Sequence, residues 1–195
     1  MGELVPKIRK IGGIPTAFET RADETTGNMY ISGYFSVFNS NYEVYPGATE
    51  SIAPTAFDGA LNDDIRCLIN HDTSLVLGRN KAGTLTLRTD ERGLWGEVLI
   101  NPKDQDAVNL YERVKRGDVN QCSFGFNILD EEFTDLGDGR VHWTVKKVKL
   151  YEVSVVTFPA YEDTSVEARK KDLEQIKKRK FEAWKSRFLE SRKEK

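Results

Sequence analysis

Residues 120–126 of the chain read Asn120-Gln121-Cys122-Ser123-Phe124-Gly125-Phe126. Alternate side chains of a β-strand point to opposite faces of its sheet, so Cys122, Phe124 and Phe126 share one face. This apolar set predicts a face turned toward the core, which argues against the Cys122 thiol as a nucleophile. Ser123 is expected to face outward, next to a glycine that leaves room for another backbone to approach.

Two further stretches combine apolar runs with an ionisable side chain. Residues 65–71 form a short apolar run that ends on His71, and as a strand they place Cys67, Ile69 and His71 on one face. Residues 148–156 form an otherwise apolar strand that contains the carboxylate of Glu152. Because burial of an unpaired carboxylate is costly, Glu152 is expected to have a partner.

Strand patterns dominate the middle of the chain. Residues 83–100 alternate around a DERG turn and predict a hairpin, and residues 103–116 have helical spacing and end before Gly117. The other predicted elements are strands over 17–20, 29–38, 119–129, 140–147 and 148–157, one or two helical turns within 51–61, and a polar loop over 39–50. Many strands with few helices predict an α+β fold, a mostly antiparallel β-barrel with flanking helices and a C-terminal helical extension.

The charge of the chain is unevenly distributed. The formal net charge is −2, yet residues 169–195 hold 12 basic and five acidic side chains. An acidic body with a basic tail predicts two functional parts. Together with the Pro and Gly near the start, this divides the chain into a flexible lead-in (1–17), a β-barrel domain (18–161) and a basic helical tail (162–195).

Apolar side chains form a loose stripe along the basic tail: Leu173, Ile176, Phe181, Trp184, Phe188 and Leu189. The pattern is compatible with a solvated helix that docks on its own barrel. It is equally compatible with an arm that binds a partner, or with a tail that is removed.

Composition excludes several classes of protein. The chain is 38% hydrophobic and no apolar run approaches the roughly 20 residues of a membrane span. The first residues lack the apolar core of a signal peptide, so a cytosolic location is expected. Two cysteines and two distant histidines predict neither a disulfide framework nor a metal site. Phosphate-loop and dinucleotide fingerprints are missing, and no cofactor is expected.

Ser123 is the candidate nucleophile. A serine hydroxyl attacks poorly at neutral pH and needs an adjacent base, and the chain offers only His71 and His142. His71 ends an apolar strand, where a side chain can reach a cleft at the barrel rim. His142 alternates with valines and is typical of a packed or surface histidine on a strand.

A catalytic histidine needs an acceptor that fixes its tautomer and stabilises the imidazolium formed during attack. Glu152 is the candidate for this role. An ion pair of Glu152 with Lys149 or Arg140 is the purely structural alternative. Asp72 is adjacent to His71, but neighbouring side chains in an extended chain diverge, so Asp72 is discounted.

The sequence resembles the prohead (capsid maturation) serine proteases of tailed phages, a family akin to the herpesvirus maturation protease. The resemblance spans about residues 29–168 and is carried by six short motifs in order. These are Gly33–Asn39, Ile52–Phe57, Asn70-His71-Asp72 with Leu77-Gly78-Arg79, Arg92-Gly93-Leu94 with Lys115-Arg116-Gly117, Gln121–Phe126, and Leu150–Ala160.

The resemblance implies a serine endopeptidase with Ser123 as nucleophile and His71 as base. Herpesvirus relatives have a second histidine where Glu152 stands, so a Ser-His-Glu triad is implied here. The sequence departs from the pattern at Thr55, where glycine is more usual, and around residues 158–160, where oxyanion-stabilising arginines are missing. Backbone N–H groups of Phe124 and Gly125 are therefore the candidate oxyanion and substrate-binding groups.

The resemblance also implies the partners and the place of action. The expected substrates are the scaffolding segment of the major capsid protein and the protease itself, inside the assembling prohead in the host cytoplasm. Oligomeric state is left open, and neither a membrane nor nucleic acid is an expected partner. The alternatives are a non-enzymatic capsid-assembly protein that binds scaffold with the same barrel and, less favoured, a nucleic-acid-binding factor that uses the basic tail.

Overall fold

A computed structural model describes residues 9–12, 18–158 and 163–191, and the chain divides into two units, Met1–Tyr161 and Glu162–Lys195. The first unit contains eleven described strands, two short 3₁₀ turns and one α-helix. In chain order they are β1 Arg9–Gly12, β2 Glu19–Ala22, β3 Met29–Val37, β4 Tyr42–Tyr45, β5 Ala48–Ile52, a 3₁₀ turn Ala60–Asn62, β6 Arg66–Ile69, β7 Asp72–Arg79, a 3₁₀ turn Asn80–Ala82, β8 Leu85–Thr89, β9 Gly93–Ile100, α1 Gln105–Arg116, β10 Gln121–Gly137 and β11 Arg140–Val156.

The described strands form two sheets. One has seven strands, with β1, β10, β11, β5 and β4 in that order and with β6 and β7 added beside β11. The other contains β2, β3, β9 and β8. The predicted α+β class is confirmed, but the predicted closed barrel is wrong, because these two sheets do not join into one continuous ladder. Strand periodicity shows which face of a strand is apolar, and it carries no information about closure.

Apolar side chains from both sheets form one core cluster. Phe124 and Phe126 are buried in it, as the alternation predicts, and their rings stack at 4.8 Å between centroids. Phe57 packs edge-on against Phe124, at 5.7 Å between ring centroids. Because this core lies on one face of β10 and β11, the opposite face of the same strands is left for polar side chains.

Local predictions with strong turn or cap signals are confirmed. The 83–100 hairpin is β8 and β9, and helix α1 begins after the cap residue Asp104 and ends at Gly117, whose φ is 89°. Asp104 accepts hydrogen bonds from the N–H groups of the first helical turn, and glycine adopts the left-handed C-terminal conformation at little cost.

Weaker patterns are misread. Residues 39–50, predicted as a polar loop, contain the hairpin of β4 and β5 around Pro46 and Gly47. The helical turns predicted within 51–61 reduce to irregular turns followed by a 3₁₀ turn. Residues 9–12, inside the predicted flexible lead-in, form strand β1. The rest of that predicted lead-in, residues 1–8 and 13–17, lies outside the described residues.

The second unit contains one long described helix, α2 Asp163–Ser191. Aromatic rings follow one another along it: the Phe181 and Trp184 centroids are 5.8 Å apart, and those of Trp184 and Phe188 are 5.4 Å apart. These side chains are about half exposed. Neither this helix nor the other described helix has the length and hydropathy needed to cross a bilayer.

Candidate active site

Three adjacent strands bring the candidate residues into one region. Strand β11 pairs antiparallel with β10 on one side and parallel with β6 on the other. This register places Ser154 of β11 between Ser123 of β10 and Leu68 of β6. Residues far apart along the chain therefore meet because β6 inserts beside the end of a long hairpin.

His71 lies in a tight turn, so its predicted place on a strand face is wrong. Ile69 pairs with Asp72, and the two residues between them both have positive φ, 50° at Asn70 and 61° at His71. Two consecutive left-handed residues define a type I′ hairpin turn. The turn is attached to the end of β11, since the Asn70 N–H donates to the Val155 carbonyl and the Asn70 side chain accepts from the Thr157 N–H.

A bulge in β11 directs Glu152 away from the core. Gly125 pairs with Glu152, but the next residue of β10 pairs with Leu150, which leaves Tyr151 as an extra residue. An extra residue reverses the alternation of faces. Leu150 before the bulge and Val153 after it both enter the core, and the Glu152 side chain points to the polar face.

The Glu152 carboxylate is held by two side chains. One oxygen accepts from His71 Nδ1 at 2.8 Å, and the other accepts from the Ser154 hydroxyl at 2.5 Å. Gly125 makes this position available, because a Cβ there would lie 2.3 Å from the first carboxylate oxygen. The glycine that sequence reasoning assigned to substrate access thus also has a packing reason.

The hydrogen bond to Glu152 fixes the orientation of the His71 imidazole. Its side chain is only 8% exposed, and since a carboxylate oxygen accepts at Nδ1, the proton is assigned to Nδ1 and the lone pair to Nε2. Nε2 is buried and has no hydrogen-bond partner among the described residues. A buried acceptor without a donor lowers the stability of the folded protein, which argues against a purely structural role. A free acceptor nitrogen is what a base needs to take a proton from a nucleophile.

Ser123 lies beside this pair but is not bonded to it. It is the cross-strand partner of Ser154, and directly paired side chains share a face, so its hydroxyl lies on the polar face with Glu152. Ser123 is fully buried, which differs from the predicted outward, exposed position. The structure thus joins His71 to Glu152 by a hydrogen bond and pairs Ser123 with Ser154, whose hydroxyl also holds Glu152. Nε2 has no hydrogen-bond partner among the described groups.

The backbone N–H groups of Phe124 and Gly125 do not converge in this arrangement. Both residues lie within β10, which is paired with β1 on one side and β11 on the other. Consecutive N–H groups of a strand point to opposite edges, so one of the two faces β11 and the other faces β1. Their role as an oxyanion hole stays a prediction, and residues 159–162, near the departure from the family pattern, lie outside the described residues.

A second Ser–His pair occurs on the other part of β11. His142 Nε2 lies 2.9 Å from the Ser51 hydroxyl, and Nδ1 lies 2.8 Å from the Thr49 hydroxyl. Burial lowers the pKa of His142, partly opposed by the charge of Glu50. Because a hydroxyl rather than a carboxylate lies at Nδ1, this pair lacks the group that stabilises an imidazolium, and it has the packed, structural character predicted for His142.

Lys149, Arg140 and the two cysteines form no hydrogen bond with His71 or Glu152 among the described residues. The Lys149 ammonium lies over the Tyr151 ring at 5.4 Å, and no ion pair joins Glu152 to Lys149 or Arg140 within the described ranges. Burial raises the pKa of the Cys67 thiol, and the charge of Glu152 adds to this effect. Cys122 points into the core and donates to the Tyr34 carbonyl. No cluster of three metal-binding side chains occurs in the part of the chain that was described.

Ser154 was not singled out from the sequence, although its hydroxyl holds Glu152. We expect Ser154→Ala to lower kcat about tenfold, since a hydrogen bond to a charged group is worth about 1.5–3 kcal/mol and part of this is lost as carboxylate mobility. Ser154→Thr keeps a hydroxyl and is expected to recover activity. Steady-state cleavage rates of the two variants test this, and equal loss in both would show that packing rather than the hydrogen bond matters.

Gly125→Ala tests the space beside Glu152. A methyl group at this position overlaps the carboxylate, so the His71–Glu152 bond must break or the strand must shift. We expect kcat to fall about 100-fold, with a loss of stability on the order of 1–3 kcal/mol for overpacking. Gly59→Ala is the control for the added methyl group: its Cβ meets no atom within 4 Å, and because the φ of Gly59 is 79° we expect it to lose about 1–2 kcal/mol of stability while kcat is kept. Wild-type activity of Gly125→Ala would contradict the described position of the carboxylate.

Comparison with known proteins identifies the relatives of this chain. A family profile described as caudovirus prohead serine protease matches residues 16–179. The chain is 31% identical over 142 residues to the prohead protease of Enterobacteria phage HK97, covering 71% of this chain and 59% of that protein. It is 32% identical over 98 residues to the prohead protease of Escherichia phage T5, covering 50% of this chain and 42% of that protein.

One solved structure is also similar. The capsid assembly protease of bacteriophage T4 aligns with a TM-score of 0.46 at 13% identity, over 76% of this chain and 94% of that one. The matches to the HK97 and T5 proteins span about half of their lengths. Because the family profile matches most of the sequence, including the segments that contain His71, Ser123 and Glu152, the chain belongs to the caudovirus prohead serine protease family.

Proposed function

We propose that this chain is an endopeptidase of phage capsid maturation that uses a Ser-His-Glu triad. The observation that carries the proposal is the bond from His71 Nδ1 to Glu152, beside a serine whose position is set by strand register. It leaves Nε2, the nitrogen that a serine base uses, buried and without a partner among the described residues.

The mechanism follows from the order of these contacts. Ser123 Oγ attacks the carbonyl carbon of the scissile amide while His71 Nε2 takes the hydroxyl proton. The imidazolium formed is stabilised by the Glu152 carboxylate at Nδ1 and then gives the proton to the leaving amine. Water hydrolyses the acyl-enzyme with His71 again acting as base. The missing Ser123–Nε2 bond requires a small movement of the serine or of the His71 turn before attack.

The substrates in this proposal are the scaffolding segment of the major capsid protein and the protease itself. The name of the HK97 and T5 relatives, prohead protease, supports a substrate within the prohead. The place of action is the interior of the assembling prohead in the host.

Labelling with a serine-directed fluorophosphonate tests the nucleophile. The wild-type chain is expected to gain one label on Ser123, and the label is lost in Ser123→Ala and in His71→Ala. Ser51→Ala, which removes the hydroxyl of the second Ser–His pair, is the control and keeps full labelling. Label on Ser51, or undiminished label in His71→Ala, would refute the assignment.

The basic tail is proposed to bring the protease into the shell. Deleting residues 162–195 is expected to leave cleavage of a peptide within about threefold of wild type and to reduce incorporation into proheads more than tenfold. The physical reason is that 12 of 27 residues over 169–195 are basic and that three half-exposed aromatic rings lie together. Quantitative mass spectrometry of purified proheads measures incorporation.

Two full-length variants separate charge from aromatic contact in the tail. One variant replaces Phe181, Trp184 and Phe188 by alanine, which removes the rings and keeps the charge. The other replaces Lys177, Lys178 and Lys180 by glutamine, which removes three positive charges and keeps the rings. Loss of peptide cleavage by the truncated protein would contradict a purely targeting role.

A further inference from the structure

Strand β1 occupies the edge of β10 beside the candidate nucleophile. Its four residues pair antiparallel with β10, and Gly12 is opposite Ser123, Ile11 opposite Phe124 and Lys10 opposite Gly125. Among the described strands, β1 is the last one on this side of the sheet. Without β1, the backbone N–H and C=O groups of β10 next to Ser123 would form an open edge.

An open edge next to a nucleophile has the chemistry that an extended polypeptide recognises. A protein substrate that adds as a strand gains main-chain hydrogen bonds, and its backbone is aligned with the residues that cleave it. In the described arrangement those hydrogen-bonding groups are already used by residues of the same chain. One of the N–H groups of Phe124 and Gly125 also faces β1 and is therefore not available to a substrate oxygen.

We propose that the β10 edge at Ser123–Phe126 is a docking surface for one extended polypeptide strand and that Arg9–Gly12 of this chain competes with the substrate for it. The inference rests on the proposed function of Ser123. Ser123 is completely buried in the described arrangement, whereas an enzyme acting on a protein must expose its nucleophile.

The pairing of β1 is short enough to be reversible. Four residues of edge strand form only a few ladder hydrogen bonds, and strands of this length are among the first elements to open locally. Substrate can bind only while β1 is detached from the edge. The apparent affinity for substrate is therefore the intrinsic affinity multiplied by the fraction of time that the edge is open.

Proline substitution in the full chain tests the competition. Lys10→Pro/Ile11→Pro removes both backbone N–H groups, one of which faces β10, and fixes φ away from the strand value. We expect KM for the purified precursor of the major capsid protein to fall about tenfold, with kcat unchanged within about threefold. Lys10→Ala/Ile11→Ala is the matched control, since it changes the side chains and keeps the backbone, and its KM is expected to stay near wild type.

A synthetic peptide of residues 1–17 provides an independent measurement. Added to the proline variant, it is expected to inhibit competitively with the precursor. Hydrogen exchange at Ser123–Phe126 is expected to be faster in the proline variant and to slow again with the peptide. An unchanged KM in a variant whose β10 edge exchanges faster, or non-competitive inhibition by the peptide, would overturn the competition.

Failure of the nucleophile assignment is distinguishable from failure of this inference. Ser123→Ala in the proline variant must abolish cleavage if the proposed function holds. Cleavage that persists in this variant refutes the role of Ser123, whereas loss of cleavage combined with equal KM values for the wild-type and proline chains refutes only the competition by β1.

Discussion

Ser123→Ala is expected to reduce cleavage of the major capsid protein precursor by at least about 10³-fold, because in the proposed mechanism the Ser123 hydroxyl oxygen forms the acyl-enzyme. His71→Ala is expected to cost a similar factor, because it removes Nε2, the proposed acceptor of the serine proton. The double variant is expected to be no slower than either single variant, since residues that act as one unit are not additive. Time-resolved mass spectrometry of the precursor measures all three rates.

The second Ser–His pair supplies matched controls for this prediction. Ser51→Ala and His142→Ala remove a serine and a histidine that are hydrogen-bonded to each other in the same sheet. Each is expected to cost about 1 kcal/mol of stability and to leave kcat within about threefold of wild type. A large loss of activity in these variants, with activity retained in Ser123→Ala, would move the active site to β5 and refute the triad.

The inner and outer faces of β10 could be read from the sequence, because they follow from local geometry. Cys122, Phe124 and Phe126 alternate with small polar residues, and the structure places all three in the core. The exposure of Ser123 could not be read in the same way. It depends on what covers the polar face and the β10 edge, and strand β1, which lies at that edge, comes from more than 100 residues earlier in the chain.

The bulge in β11 is visible in the sequence as a change in the alternation of apolar residues. Apolar side chains occupy even positions at Val148 and Leu150 and odd positions at Val153 and Val155. A change of parity within one strand requires an extra residue, and the structure places it at Tyr151. This signal also explains how a carboxylate can occur in an apolar strand without entering the core.

The sequence predicts that a strand ends near His71, but it does not predict the turn that contains His71. The apolar run before it identified a strand end, but two consecutive positive φ values at Asn70 and His71 make a turn rather than a continuation. Asparagine and histidine tolerate this conformation better than most residues, which is the local clue. The contact with Glu152 depends on β6 lying parallel to β11, and no local pattern encodes that long-range pairing.

Glu152→Gln is expected to lower kcat by about 10²–10⁴-fold while KM changes little. Glutamine has the shape of glutamate and can still accept from His71 Nδ1, so the fold and the substrate edge are kept. It lacks the negative charge that stabilises the imidazolium when His71 holds the serine proton. Glu152→Ala removes both the charge and the hydrogen-bond acceptor, so its kcat is expected to be lower than that of Glu152→Gln.

Glu50→Gln is the control that separates catalysis from structure. Glu50 is also a buried carboxylate in the same sheet, where it accepts from the Tyr42 hydroxyl, and the substitution is chemically identical. If Glu152 only fills space, the two glutamine variants should melt at lower temperature and cleave at the wild-type rate. If Glu152 orients and stabilises the base, only the substitution at 152 affects kcat, and the loss is present at temperatures where both proteins remain folded.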